Sequence, residues 1–238
     1  MPATSGQPCR VVTADGSIDA DVVVANPDLP VLYDQLLPVG PPRRVRRGRY
    51  SPSCLVWLLG TSQPVGPGTE HHNIHFTRPW GASFDELLRQ GRPMSEPSRF
   101  VTVASGTDPS AAPAGGSTLY VLEPVPNLTA DVDWTTETDR LTTRALAWAT
   151  DEGYLSGSPE VQRVITPLEW RAQGMARGTP FALDHRFTQS GPFRPGLVDR
   201  RLPGVVFVGS ATRPGVGVPM VLLSGRLAAE RAEACLAG

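Results

Sequence analysis

Short runs of apolar residues, separated by glycine and proline, dominate the middle of the chain. Four runs are rich in β-branched and aromatic residues, a pattern typical of antiparallel strands: residues 53–60, 71–77, 100–104 and 119–125. The run 161–165 predicts a fifth strand. Helices are predicted over 83–90 and over 135–154, where Leu141, Ala145 and Trp148 lie near helical spacing. We therefore expect a mostly antiparallel sheet backed by helices, which can hold a large apolar ligand.

The two ends of the chain predict elements of another kind. Residues 10–25 predict a hairpin around Asp15-Gly16 followed by a strand too apolar to face solvent. Asp28 is placed to cap a short helix that ends before Pro38, and Pro167 opens another toward Arg171. Residues 205–208 predict a buried strand, followed by a glycine-rich turn and a helix over 220–236.

The segment 40–49 has prolines, glycines and five arginines in place of periodicity. This composition predicts a crossing between two domains, so we place a domain boundary there. The arginines either touch anionic lipid headgroups or form a solvated linker.

Charge and cysteine content restrict the classes of function. The net charge is −1, so the chain lacks the basic field that guides proteins onto nucleic acid, and we expect no nucleic acid partner. Every basic residue is arginine, which excludes lysine Schiff-base chemistry and a P-loop lysine. Three distant cysteines indicate neither a disulfide framework nor a zinc site and fit a cytoplasmic location. Residues 1–9 lack the features of a signal peptide.

The glycine-rich turn over 209–219 is the most informative candidate site. Backbone N–H groups at a helix start carry partial positive charge, and glycine lets an anion or a planar ring approach the main chain. A phosphate or a flavin fits such a turn. The alternative is that the glycines only permit tight packing of strand against helix, because Gly215-x-Gly217-x-x-Met220 lacks the third glycine of a dinucleotide fingerprint.

Other polar clusters carry weaker signals. On a strand rising ~3.3 Å per residue, His71 and His75 share a face but lie about 13 Å apart, so one metal ion cannot bind both, and we expect polar contacts instead. Asp131 and Asp133 are expected to be solvated caps. No side chain is an evident general base, so we assign no catalytic residue and no metal ligand.

Several motifs together resemble the C-terminal part of the bacterial phytoene desaturases, FAD-dependent carotenoid desaturases of the flavin amine-oxidase superfamily. Residues 206–225, VFVGSATRPGVGVPMVLLSG, resemble the family's terminal G-A-S-T-H-P-G-G-G-V-P segment and the helix after it. Further matches follow in the family's order: residues 21–28, 50–53, 71–72, 107–110, 119–127 and 189–195. Within the terminal segment, Arg213 replaces a frequent histidine and Val216 a frequent glycine, which a left-handed backbone angle would not tolerate.

The resemblance implies a mixed α/β fold, in which a substrate domain is inserted into a partial Rossmann-like FAD-binding domain. Residues 1–49 and 173–238 are then assigned to the FAD-binding domain and residues 50–172 to the substrate-binding domain. By position, Gly209 and Ser210 approach the diphosphate and ribityl chain, whereas Gly217, Val218, Pro219 and Met220 place a helix N-terminus against the isoalloxazine ring.

The implied function is an FAD-dependent oxidoreductase that introduces double bonds into a polyene precursor such as phytoene. The family's N-terminal G-x-G-x-x-G is absent from this sequence, so we expect that the chain alone does not hold FAD tightly. The alternative is a non-catalytic remnant, or half of a split desaturase whose partner chain carries that unit. We expect a cytoplasmic location with peripheral contact at the inner face of the cell membrane.

Overall fold

The computed structural model describes residues 9–237, which form two compact units. The first unit comprises residues 9–51, 174–176 and 181–237, and the second comprises residues 52–173 and 177–180. The stretch predicted to lack a secretion signal lies outside the described residues except for Cys9. The domain limits given above, 1–49, 50–172 and 173–238, stay predictions.

The second unit is built on a five-stranded antiparallel sheet in the order β5-β6-β7-β4-β8. Its strands are β4 (Ser53–Thr61), β5 (His72–His75), β6 (Arg99–Val103), β7 (Ser117–Val125) and β8 (Val161–Ile165). Its helices are α3 (Trp80–Asp85), which continues into a π-helical turn (Glu86–Gln90), α4 (Trp134–Asp151) and α5 (Pro167–Ala172). The predicted fold class, an antiparallel sheet backed by helices, is confirmed.

One face of this sheet packs on α4 and forms the core of the second unit. Alternate residues of β7 are buried because side chains of a strand point to opposite faces in turn. Leu141 and Ala145 of α4 join this core, and the Trp57 indole N–H donates to Thr142 Oγ1 at 2.9 Å. Asp133 begins α4 by accepting the Thr135 backbone N–H at 3.0 Å, which confirms its expected role as a cap.

A charged cluster is buried in the same core. The Glu123 carboxylate accepts hydrogen bonds from Arg99 Nε at 2.9 Å and from Arg144 Nη2 at 2.5 Å. The Arg99 guanidinium also lies 4.5 Å above the centre of the Trp148 ring. Burial raises the pKa of Glu123, and the charges of the two arginines oppose that rise. The cluster joins β6, β7 and α4 through charges that have little access to water.

The first unit has two small sheets and three helices. Its elements are β1 (Cys9–Thr13), β2 (Gly16–Ala20), β3 (Val23–Ala25), α1 (Leu29–Gln35), α2 (Arg43–Arg46), β9 (Val205–Phe207) and α6 (Val218–Leu236). β1 and β2 form the expected hairpin. β3 follows this hairpin as the predicted further strand and pairs in parallel with β9. Val24 of β3 is 51% exposed, so the strand is not kept from solvent as its apolar run predicted. The core of this unit contains Leu29, Leu32, Tyr33 and Phe207.

The short helices differ in detail from the prediction. Asp28 precedes α1, but its carboxylate does not cap the helix and instead accepts the Ala176 backbone N–H at 2.9 Å. The segment 40–49, expected to lack periodic structure, contains α2. Short 3₁₀ turns occur at Ala104–Gly106, Pro109–Ala111, Ala176–Gly178, Phe187–Gln189 and Gly191–Phe193. Across residues 9–237, we find no helix whose length and apolar character would let it span a bilayer.

Candidate functional site

The carboxyl ends of the parallel strands β3 and β9 lie side by side in the first unit. The Val208 backbone N–H donates to Ala25 O at 3.0 Å, so Asn26 and Gly209 follow the two strands at the same edge. A Cβ on Gly209 would lie 2.4 Å from Asn26 Oδ1, and the φ of Gly209 is 102°. Glycine is therefore required at the point where the chain leaves the sheet, at the edge where open α/β folds bind ligands.

Two buried hydroxyl groups hold the beginning of the turn against α6. The Gly209 backbone N–H donates to Ser224 Oγ at 3.0 Å, and the Thr212 hydroxyl donates to Gly209 O at 2.9 Å. The two hydroxyl oxygens are 3.2 Å apart. Both polar groups of Gly209 are thus satisfied within the unit, which fixes the path of the turn.

Positive φ angles within the turn occur at glycines only. Gly209, Gly215 and Gly217 have φ values of 102°, 147° and 106°, whereas Val216 has no positive φ. The valine that stands where the family often has glycine therefore causes no strain of the kind a left-handed residue would.

The turn ends at an open helix start. Gly217 is the N-cap of α6 and no side chain caps the helix, so the first backbone N–H groups have no intrahelical partner. Val218 is 71% exposed, and no atom lies within 4 Å of the Cβ position of Gly217. A phosphate or planar ring can approach this main chain directly, so the residues present fit a flavin nucleotide.

The six predicted cofactor residues lie in two groups, one at each end of the turn. Gly209 and Ser210 lie just after β9, whereas Gly217, Val218, Pro219 and Met220 lie at the start of α6. Their contact with a cofactor stays a prediction.

Arg194 is a site residue that the sequence did not reveal. Its side chain is only 1% exposed, and its guanidinium donates to Ser210 O at 2.6 Å, to Thr212 O at 3.2 Å and to Leu183 O at 3.4 Å. Burial lowers the pKa of Arg194, and the opposing charges include Asp28 and Asp184. Arg194 therefore positions the turn. The matching segment 189–195 was the only available signal, and it gave this arginine no role.

The second unit carries an apolar groove on the sheet face opposite α4. The groove has a volume of about 650 Å³. Half of its lining residues carry polar side chains, but the surface that the lining exposes is mainly apolar. The aliphatic residues include Leu58, Ala104 and Val161, and the polar ones include Tyr120 and Arg163. Burial raises the pKa of Tyr120 to about 12, so its phenol remains protonated at neutral pH. Such a surface binds a ligand by excluding water rather than by specific hydrogen bonds.

Glu160 is the one acidic residue among the described residues that line the groove. Ser62 donates to it twice, through its backbone N–H at 2.9 Å and through its hydroxyl at 2.6 Å. These hydrogen bonds lower the pKa of Glu160, which makes the carboxylate a weaker proton acceptor.

Each histidine of the strand segment contacts a different hydroxyl group. His71 Nδ1 lies 2.6 Å from Thr107 Oγ1, His72 Nδ1 lies 3.0 Å from Thr102 Oγ1, and His75 Nε2 lies 2.8 Å from Tyr154 Oη. The expected polar contacts are present. Within the described part of the chain, no three histidine, cysteine or acidic side chains come close enough together to hold a metal ion.

Comparisons with known proteins show what the chain resembles. It is 43% identical to the phytoene dehydrogenase of Streptomyces griseus over 93% of this chain and 44% of the relative. It is 37% identical to the zeta-carotene-forming phytoene desaturase of Myxococcus xanthus, covering 96% of this chain and 45% of the relative. It is 32% identical to the neurosporene-forming phytoene desaturase of Rhodobacter capsulatus, covering 97% of this chain and 46% of the relative. The chain spans less than half the length of these curated relatives.

Two further comparisons concern families and folds. No family profile matches the chain. A solved structure from Exiguobacterium sp. 255-15, assigned as a protoporphyrinogen oxidase, matches 97% of this chain and 45% of its own with a TM-score of 0.55. The sequence identity is 16%, so this likeness shows the fold alone.

Proposed function

Because the chain corresponds to the C-terminal part of the phytoene desaturases, we propose that it supplies the substrate surface and one side of the flavin site of a carotenoid desaturase. The reaction introduces double bonds into a polyene precursor such as phytoene. The observation that carries this function is the apolar groove on the sheet face opposite α4. A hydrocarbon has no polar group to recognise, so its binding depends on a surface that is mainly apolar, as that of this groove is.

FAD is the cofactor that the relatives point to, and when bound it would accept the hydride removed from the polyene. Gly209, Ser210 and Gly217–Met220 would hold it at the turn, where the main chain is open and α6 presents its uncapped N–H groups. Arg194 holds the carbonyls of the turn from behind. The groove residues orient the polyene and exclude water, and the weak basicity of Glu160 gives no reason to assign it as a base.

The flavin proposal is tested by Gly209→Ala. A methyl group at this position collides with Asn26 and opposes the positive φ, so we expect loss of FAD binding, measured by flavin absorbance of the purified complex with the partner described below. Gly225→Ala within α6 is the matched control, because its Cβ position has no neighbour within 4 Å and alanine favours a helix. Equal FAD content in the two variants would overturn the assignment of the turn.

The polyene proposal is tested separately from the flavin proposal. Leu58→Asp places a charge in the groove, and we expect it to abolish binding of a carotenoid dispersed in detergent, measured by the shift of the carotenoid absorption band. Leu88→Asp changes an exposed leucine outside the groove and should leave binding unaltered. Loss of binding in both variants, or in neither, would contradict a substrate role for the groove.

We also propose that a partner chain completes the flavin site. Among the described residues, the edge of β3 away from β9 pairs with no strand, and α6 exposes Val218, Met220, Leu222 and Leu223. A strand-turn-helix unit carrying G-x-G-x-x-G would extend this parallel sheet and supply the cradle for the adenosine half of FAD. Co-expression with such a unit is expected to give stoichiometric flavin absorbance, whereas the isolated chain should show little. A complex without flavin would favour a non-catalytic remnant.

We further propose that the protein works in the cytoplasm in peripheral contact with the inner face of the cell membrane. A water-insoluble polyene is held in the bilayer, and the arginine-rich segment 43–49 provides positive charge toward anionic lipid. Fractionation of cells expressing the protein should place it with membranes at low salt and release it at high salt.

A further inference from the structure

The helix α2 presents unpaired positive charge on the surface of the first unit. Val45 is buried in the core of this unit and fixes the helix, while Arg43, Arg44, Arg46 and Arg47 are exposed. Among residues 9–237, none of these four arginines has an acidic side chain within ion-pair distance, in contrast to Arg49, which lies 4.0 Å from Asp184. The four charges are therefore free to bind an external anion.

Two phenylalanines beside the same surface are exposed to solvent. Phe187 is 81% exposed and Phe193 is 41% exposed, and their ring centres are 5.5 Å apart. They stand on consecutive 3₁₀ turns, so the pair forms one apolar protrusion. Burying an exposed aromatic pair of this kind lowers the free energy of the protein, so such a pair indicates a surface that binds another molecule.

Gln189 connects the segment that carries the two phenylalanines to the arginine-rich segment 43–49. Its side-chain oxygen accepts the Arg49 backbone N–H at 2.8 Å, and its Nε2 donates to Arg49 O at 2.9 Å and to Asp184 Oδ1 at 2.8 Å. Between the segments lies a cavity of about 620 Å³, whose lining includes Arg43, Arg44, Arg47, Thr188, Gln189 and Phe193. The arginines and the aromatic protrusion thus form one surface with a defined geometry.

We propose that this arginine–phenylalanine surface (Arg43, Arg44, Arg46, Arg47, Phe187 and Phe193) binds anionic phospholipid bilayers. The guanidinium groups of Arg43, Arg44 and Arg47 pair with phosphodiester headgroups in the cavity, Arg46 adds positive charge beside it, and the two rings enter the apolar region below the headgroups. A soluble phosphate would use the charges but not the rings, and a net charge of −1 disfavours nucleic acid. The proposal deepens the membrane contact proposed above and does not depend on the flavin or polyene sites.

The charge contribution is tested by sedimentation with vesicles of phosphatidylcholine, with and without phosphatidylglycerol. We expect tight binding only to the anionic vesicles, and about 5-fold weaker binding for each arginine removed in the triple variant R43Q/R44Q/R47Q. The control R78Q/R89Q/R140Q removes the same charge from the surface of the second unit and should bind like the wild type. Equal weakening by both triples would overturn the proposed surface.

The contribution of the rings is tested by F187A/F193A. We expect roughly tenfold weaker binding for each ring, with the salt dependence of binding retained, because the lost contribution is apolar. Phe76→Ala, at a phenylalanine 67% exposed in the second unit, should have no effect. Thermal melting verifies that each variant is folded. Unchanged binding of F187A/F193A, or displacement by inorganic phosphate beyond that by sodium chloride of equal ionic strength, would refute the bilayer proposal and favour a soluble anion.

The vesicle experiments test the membrane surface independently of the proposed desaturase function. Carotenoid binding in detergent reports on the groove and requires no bilayer, whereas vesicle sedimentation requires no carotenoid. Loss of vesicle binding with normal carotenoid binding would refute the arginine–phenylalanine surface alone.

Discussion

The two units of this chain differ in how much of their apolar surface each buries within itself. In the second unit, α4 covers one face of a five-stranded sheet, and its inward residues, such as Leu141 and Ala145, are almost completely buried. In the first unit, α6 is of similar length but buries only Ser224 and Ala228, and it packs near a sheet of two short parallel strands. Parallel strands are normally covered on both faces. The second unit thus contains its own core, whereas the first carries apolar surface that another element would cover.

The tryptophans make this comparison measurable. All five, Trp57, Trp80, Trp134, Trp148 and Trp170, belong to the second unit. Tryptophan fluorescence therefore follows unfolding of that unit, and hydrogen exchange of peptides from α1 and α6 follows the first.

The largest effect is expected from Glu123→Gln in the second unit. The substitution leaves the buried Arg99 and the half-buried Arg144 without their carboxylate, and removal of one member of a buried ion cluster costs about 3–5 kcal/mol. Glu137→Gln is the control, because its ion pair with Arg140 lies at the surface, where such pairs contribute about 0.2–1 kcal/mol. Urea unfolding followed by tryptophan fluorescence measures both. Similar losses in the two variants would show that burial of the Glu123 cluster does not matter.

Leucine truncation compares the two helices directly. Leu141→Ala opens a cavity under α4 and is expected to cost about 2–5 kcal/mol of unfolding free energy. Leu222→Ala on α6 removes an exposed side chain and should change the stability of the first unit by no more than about 0.5 kcal/mol. Hydrogen exchange of the α6 peptides provides the second measurement. A large loss in Leu222→Ala would mean that α6 is already covered, and it would weaken the proposed partner interface.

Asp199 gives the first unit a dependence on acid. Hydrogen bonds from Arg201 and Tyr33 lower the pKa of Asp199 to about 2, below its ordinary value of 3.8. A lowered carboxyl pKa means that the stabilisation is complete above the ordinary value and is lost as the pH falls through about 2. Asp199→Asn should therefore destabilise the first unit by roughly 1.5–3 kcal/mol at neutral pH.

Circular dichroism at pH values between 5 and 2 tests this linkage. The difference in the stability of the first unit between wild type and Asp199→Asn should shrink as the pH falls. The unfolding transition of the second unit, followed by tryptophan fluorescence, should be the same in both proteins. Asp19→Asn, whose partner Arg10 is on the exposed hairpin, is the matched control and should have little effect at any pH. A constant difference between wild type and Asp199→Asn across this range would contradict the assignment.

The smallest effect is expected at Ser224, the hydroxyl that anchors the candidate cofactor turn. Ser224→Ala leaves the Gly209 N–H without its acceptor, and such a loss costs about 1–3 kcal/mol. We expect faster hydrogen exchange in the peptide containing Gly209 and no change in tryptophan fluorescence. Ser17→Ala on the exposed strand β2 is the control. Unaltered exchange at the turn would show that Ser224 does not hold it.

Local patterns predicted most of the elements. The strand at residues 161–165 was predicted with its observed limits, and the long helix was predicted within three residues at either end. Period-two burial and helical spacing are properties of neighbouring residues, so the sequence shows them directly. The same holds for the glycines of the turn, because a positive φ is a local requirement.

Contacts between distant residues escaped prediction. Residues 10–25 predicted a hairpin and a following strand, but they did not indicate that β3 pairs with β9, about 180 positions further along the chain. Arg194 was not assigned a role because its three acceptors are backbone carbonyls, which every residue possesses. Arg99 and Arg144 were likewise unremarkable until β6, β7 and α4 enclosed Glu123 between them.

The sequence by itself determined the order of strands and helices, the glycine turn and the resemblance to phytoene desaturases. Only the tertiary structure decided which strands pair, which charges are buried, and that Arg43, Arg44 and Arg47 line one cavity with Phe193, whose ring contacts that of Phe187. The physical reason is that backbone preference and hydrophobic period act over a few residues, whereas burial and ion pairing depend on which distant segments the fold brings together.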